Sequence, residues 1–97
     1  MRIIARKALK DYWEKEPAAE QALKAWFAEA ENADWKTPAE VKAKYGNASI
    51  LKDGRVVFNI CGNNYRLVVR INYDCRIIYI RFVGTHEEYD NLDAQVI

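Results

Sequence analysis

The sequence predicts an α+β fold in which a short N-terminal strand and a helix hairpin pack on one face of a C-terminal antiparallel sheet. Three observations predict it. Apolar residues recur with helical spacing up to Gly46 and with a period of two beyond it. Turn-forming pairs divide the second half into strands. The long strands are apolar on one side only, which calls for a covering layer on that side. A chain of 97 residues is expected to form a single domain, residues 1–97, around one core.

Arg2, Ile3 and Ile4 open the chain as a brief β-branched strand. Ala5, Ala8, Leu9, Tyr12 and Trp13 then fall at i, i+3, i+4, i+7 and i+8, one face of a helix. Pro17 disfavours a helical Glu16 and suits the first turn of a new helix, so the first helix ends there and a second begins. The second buries Ala19, Ala22, Leu23, Trp26, Phe27 and Ala30 and leaves Glu20, Lys24 and Glu29 in water, with Glu20 and Lys24 spaced as an i, i+4 pair. In "TPAEVKAKYG" Thr37 caps, Pro38 fits N1, Glu40 completes a capping box, and Gly46 is expected to supply a left-handed residue past the end. "NASILKDGRVVFNI" reads as a weak strand, an Asp53-Gly54 hairpin turn and a strand through Ile60. "CGNN" turns the chain, "YRLVVRINY" is a second long strand, Asp74 and Cys75 turn it again, and "RIIYIRFVG" is the third. The tail "NLDAQVI" is expected to be loosely held.

Strand residues alternate between faces, so parity sorts them. One face receives Val56, Phe58 and Ile60, then Tyr65, Leu67, Val69, Ile71 and Tyr73, then Ile78, Ile80 and Phe82. Leu9, Trp13, Leu23, Trp26 and Phe27 of the helices are available to cover it. The opposite face gathers Arg55, Arg66, Arg70 and Arg81 with Asn59 and Tyr79. From Arg55 to Arg81 there are five arginines, Arg76 included, against one acid, Asp74, a surplus of 5 − 1 = +4. Arginine grips phosphate through a planar fork where lysine acts as a point charge, so this face is read as a phosphate-binding surface. A solvated face using arginine for its apolar stem is the plainer reading of any single one.

The whole-chain balance of 15 basic and 14 acidic residues excludes a global field that would attract nucleic acid, leaving only such a patch. Cys61 and Cys75 fit neither a metal-ligand spacing nor a disulfide framework and are expected to be reduced thiols. Neither a signal peptide nor a membrane-length apolar run is present, so the expected location is the cytoplasm, with no membrane partner.

"YIRFVGTHEEYD" brings the one histidine of the chain, His86, to the edge of the arginine face. Histidine is the side-chain type that exchanges protons near neutrality, and one helical turn would set Tyr89 and Asp90 beside it. A lone histidine at a strand end is also commonly a hydrogen-bonded cap. Cleavage of an RNA phosphodiester needs a proton taken from a 2′-hydroxyl, a proton given to the leaving 5′-oxygen, and fixed cations near the phosphate. His86 with Tyr89 or Asp90 is a candidate for the proton transfers, Arg66, Arg70 and Arg81 for the phosphate, and Tyr79 for stacking on a base. No metal or other cofactor is called for, and no convincing metal-ligand pattern occurs.

The layout of "MRIIARKALKDYWEK", "VFNICGNNYRLVVRINY" and "YIRFVGTHEEYD" resembles the HigB toxins of bacterial toxin-antitoxin modules, within the wider RelE/ParE superfamily. The resemblance spans nearly the whole chain and is weakest from Trp35 to Leu51. It implies a RelE-like fold, an endoribonuclease that cuts mRNA on the ribosome, and a HigA-like helix-turn-helix antitoxin as partner. By position, Asn59, Arg66, Arg81, Thr85, His86, Tyr89 and Asp90 lie in the matching motifs. Arg55 and Arg70 join them from strand parity alone. Two other readings stay open: a ParE-like toxin that binds and inhibits gyrase, and an RNA-binding module without catalysis.

Overall fold

The computed structural model describes residues 1–97 and bears out the α+β architecture. Its elements run β1 (Arg2–Ile4), α1 (Arg6–Lys15), a 3-10 turn (Pro17–Ala19), α2 (Glu20–Asn32), α3 (Pro38–Lys44), β2 (Ser49–Ile50), β3 (Arg55–Ile60), β4 (Tyr65–Asn72), β5 (Ile77–Thr85) and α4 (His86–Asp90). The sheet order is β1-β5-β4-β3-β2. The expected meander is antiparallel throughout, and β1 adds to it as a parallel edge, with Ile3 opposite Ile78. No helix is long and apolar enough to cross a membrane.

The helices close over the face that parity assigns to them. Leu9, Trp13, Leu23 and Trp26 are buried against Val56, Phe58, Leu67, Val69, Ile71 and Ile78. Phe58 is the centre of an aromatic cluster, its ring 5.4 Å from Trp26, 5.0 Å from Tyr45 and 6.5 Å from Trp35. Glu20 and Lys24 form the expected ion pair at 2.6 Å. The Thr37–Glu40 capping box also forms, each side chain accepting from the other's backbone N–H. Gly46 departs from expectation, because it is not among the residues with positive φ. Tyr45 ends the helix instead, leaving it at φ −121° while its N–H stays bonded to Val41. Its ring packs against Trp35 and Phe58 as the chain leaves the helix at negative φ and not in a left-handed conformation.

The Asp53-Gly54 turn is as predicted, both residues having positive φ (59° and 79°), and the Arg55 N–H closes it on the Lys52 carbonyl at 3.3 Å. A Cβ on Gly54 would lie 2.5 Å from the Ile71 carbonyl oxygen, so β4 approaches this turn closely. Between β4 and β5 the ladder runs Val69 to Ile80 and then Val68 to Phe82, leaving Arg81 as an extra residue in a β-bulge. The bulge inverts parity for the rest of β5. Phe82, expected on the helix face, lies on the opposite one with Val57 and Val68, whereas Val83 packs into the helix-side core.

The tail is a second correction. Residues 91–97 are not loose: Ala94 is buried against Val57 and Val68, with Leu92 and Ile97 beside it, and the Ile97 carbonyl accepts from Arg55 Nε at 2.9 Å. Three apolar side chains in one row, Val57, Val68 and Phe82, are what the tail covers. Ala94→Asp should therefore place a charge on a buried apolar strip and lower stability in urea unfolding by about 1–3 kcal/mol. A change below about 0.5 kcal/mol, the range of ordinary surface substitutions, would show that the tail is not seated there.

Candidate functional site

The outward face of the sheet carries three transverse rows. Arg55, Arg70 and Tyr79 are cross-strand neighbours in the first, Val57, Val68 and Phe82 in the second, and Asn59, Arg66 and Gly84 in the third. The tail lies over the middle row, so the arginines predicted as one cluster form two groups at opposite ends of the face. Their side chains diverge accordingly. Arg66 turns to the β3–β4 turn, where its two Nη groups donate to the Asn63 and Tyr65 carbonyls and to Asn63 Oδ1 at 3.0–3.2 Å. Arg70 turns the other way and donates Nε to the Asp53 carbonyl at 3.1 Å.

The third row leads directly into α4. Thr85 caps this short helix, its hydroxyl accepting from Glu88 N–H at 3.1 Å while Glu88 Oε1 accepts from Thr85 N–H at 2.8 Å. A Cβ at position 84 would meet the Phe82 ring at 2.6 Å and Glu88 Oε1 at 3.1 Å, so glycine makes room for this box. The His86 backbone N–H donates to the Asn64 carbonyl at 3.0 Å, tying the start of α4 to the β3–β4 turn. One turn on, Asp90 Oδ2 lies 3.0 Å from His86 Nδ1. A carboxylate at Nδ1 holds the proton on that nitrogen and leaves Nε2 as an acceptor. Both side chains remain about half exposed, 47% and 56%, so a macromolecular substrate has access to them.

Tyr89 lies below Arg66, whose guanidinium carbon is 6.0 Å from the ring centroid. The cleft in front of His86, about 340 Å³, is bounded by Asn63, Asn64, Tyr65, Thr85 and Glu87. Behind it Tyr12 packs edge-on to Tyr65 at 6.0 Å. Burial first, and then the charges of Glu88 and Glu16, push the Tyr12 phenol up to about 12, so it stays neutral and does not exchange protons with the cleft.

Of the residues singled out from sequence, Asn59, Arg66, Thr85, His86, Tyr89 and Asp90 meet at this end. Arg55, Arg70, Tyr79 and Arg81 do not. Arg55 is largely enclosed (13% side-chain exposure) and occupied by the Ile97 carbonyl and by Asp53 at 3.6 Å. The Thr85 hydroxyl is committed to the helix cap. Glu88, Asn63 and Asn64 were not singled out. A Thr85-x-x-Glu88 signature in the sequence announces the first, whereas nothing local marks the two asparagines as walls of a cleft.

The family model of HigB toxins, described as the RelE-like toxic component of a toxin-antitoxin system, matches residues 19–92. The chain is 37% identical over 96 residues to the mRNA interferase toxin HigB of Escherichia coli strain K12, covering 97% of this chain and 92% of that protein. The mRNA interferase HigB of Shigella flexneri is similar to the same extent. An mRNA interferase HigB from Escherichia coli O6:H1 is 27% identical over 94 residues, 95% of this chain and 91% of its own.

Removing the cap isolates what holds the His86–Asp90 helix in place. In Thr85→Ala, amide exchange at Glu88 should accelerate about fivefold, the equivalent of about 1 kcal/mol of capping, and Thr85→Ser should restore most of the protection. Unchanged exchange in the alanine variant would mean that the cap does not position the helix.

Proposed function

The chain belongs to the HigB family of RelE-like toxins, and on that footing we propose that the His86 end of the sheet is where it cuts messenger RNA. The protein is the toxin of a toxin-antitoxin module and an mRNA-cleaving endoribonuclease. The observation that carries the site assignment is the His86 Nδ1–Asp90 contact at 3.0 Å on a capped helix beside Arg66 and Tyr89.

His86 Nε2 takes the proton of a 2′-hydroxyl, the freed oxygen attacks phosphorus, and the bond to the 5′-oxygen breaks. The products are a 2′,3′-cyclic phosphate and a 5′-hydroxyl. Asp90 orients the imidazole and balances the positive charge it acquires. Arg66 keeps its Nε–H free of the three hydrogen bonds made by its Nη groups, and its fixed charge opposes the negative charge growing on the phosphate. Tyr89, under that cation, is the group placed to give the leaving oxygen its proton. None of these steps calls on a metal ion or cofactor.

The remaining attributes rest on the family resemblance. The partner is a HigA-like helix-turn-helix antitoxin, the message is cut on the ribosome, and the place of action is the cytoplasm. The whole chain, 1–97, acts as one toxin domain, in support of which one sheet carries both its helix-side core and its site.

Replacing His86 by Gln should slow cleavage of a translated message by about 10²–10⁴-fold, the usual worth of a general base, as read by primer extension. Asp90→Asn should slow it less, since the imidazole remains but loses its charged partner. Cleavage by His86→Gln within twofold of the parent would remove this histidine from the mechanism.

A further inference from the structure

The larger cleft of the molecule, about 720 Å³, is not the one at His86. It opens at the far end of the outward face, between the Asp53-Gly54 turn and β5, and its walls include Arg70, Tyr79, Arg81, Asn72, Ile50 and Leu51. Tyr79 and Arg81 stand on the same side of β5 by strand alternation, and the extra residue at the bulge turns Phe82 outward after them. Arg81 is exposed, and its guanidinium lies 6.0 Å from the centroid of the Tyr79 ring. Arg70 spends only its Nε–H on the protein, which leaves both Nη groups available.

We infer that this cleft is a second nucleotide subsite, in which Tyr79 and Arg81 stack a base and Arg70 with Arg81 holds the neighbouring phosphate. The inference rests on the nuclease reading only in taking the ligand to be single-stranded RNA. Aromatic rings and arginine planes are the usual platforms for unpaired bases. Apolar walls beside the cations suit a base better than a bare anion. So do the carboxylates: Asp53 is paired with Arg55 at 3.6 Å, and Asp74, also lining the cleft, opposes a free phosphate but accepts from a base amino group.

The subsite is separate from the cleavage centre. Arg66 and Arg70 are four residues apart on β4, about 13 Å along the strand. They face opposite ends of the hairpin, and the tail over Val57 and Val68 stands between them. A single phosphate cannot touch both, so an RNA strand engaging the two sites must bridge the ridge with at least one intervening nucleotide. Arg81 is thereby a strand-holding residue and not one that contacts the reacting phosphate.

The test compares affinities of 2′-O-methyl RNA, which cannot be cut, by fluorescence anisotropy. Lengthening the RNA from a dinucleotide to a hexanucleotide should tighten binding to the parent protein by about tenfold or more. Arg81→Ala and Tyr79→Leu should each lose that gain, and Arg81→Lys, which keeps the charge without the plane, should recover only part of it. Thermal unfolding checks that each variant is folded. Retention of the full gain in both Arg81→Ala and Tyr79→Leu would overturn the subsite, as would a parent protein that shows no gain. AMP should compete for the hexanucleotide better than inorganic phosphate; equal competition would overturn the stacking of a base. Because no bond is cut here, these outcomes are independent of whether His86 catalyses cleavage.

Discussion

The β-bulge at Arg81 is the constraint on which the working face depends. Without it β5 would keep strict alternation, and Phe82 would join Ile78 and Ile80 under the helices. With it, Phe82 extends the apolar pair Val57 and Val68 into a row that crosses the outward face. That row needs cover, and the tail supplies it through Leu92, Ala94 and Ile97. A one-residue irregularity thus completes the ridge that separates the two ends of the face.

Downstream of the bulge the register also decides where the proposed site sits. Gly84 falls opposite Arg66 and Thr85 opposite Tyr65, so α4 starts at the lip of the sheet beside the β3–β4 turn. A five-residue helix has little intrinsic stability. Its Thr85–Glu88 box, the His86 backbone bond to Asn64 and the packing of Tyr89 against the tail cluster hold it in place. His86, the proposed general base, is therefore presented from a short helix that is fixed at its start and open to solvent on its outer side. Such an arrangement suits a large, mobile substrate better than a small one, which would need enclosure.

Signals in the sequence are legible wherever the physics is local. Capping at Thr37 and Glu40, the positive-φ pair Asp53-Gly54 and the helix break at Pro17 each depend on residues within four positions of one another. Alternation along β3 and β4 was equally legible, because a strand covered on one face imposes it. The juxtaposition of His86 with Asp90 follows from helical spacing and was legible too. What could not be read depends on partners far along the chain. Arg81 looks like any strand residue until Val68 and Val69 fix its register. The tail looks like a loose end until the inverted Phe82 gives it a surface to cover. Gly46 looks like a helix stop because nothing nearby shows that Tyr45 is drawn into the Phe58 cluster. The two-group division of the arginines, and with it the separation of Arg81 from His86, inherits both the bulge and the tail.

The central claim is that imidazole and carboxylate on α4 drive attack by the 2′-hydroxyl of the RNA itself. Analysis of the ends of the cut RNA tests it most directly, with the reaction run in the presence of a chelator. The account predicts undiminished cleavage that leaves a 2′,3′-cyclic phosphate, or the 3′-phosphate from its opening, on one fragment and a 5′-hydroxyl on the other. Fragments ending in a 3′-hydroxyl and a 5′-phosphate would contradict it, because water rather than the neighbouring ribose oxygen would then be the nucleophile.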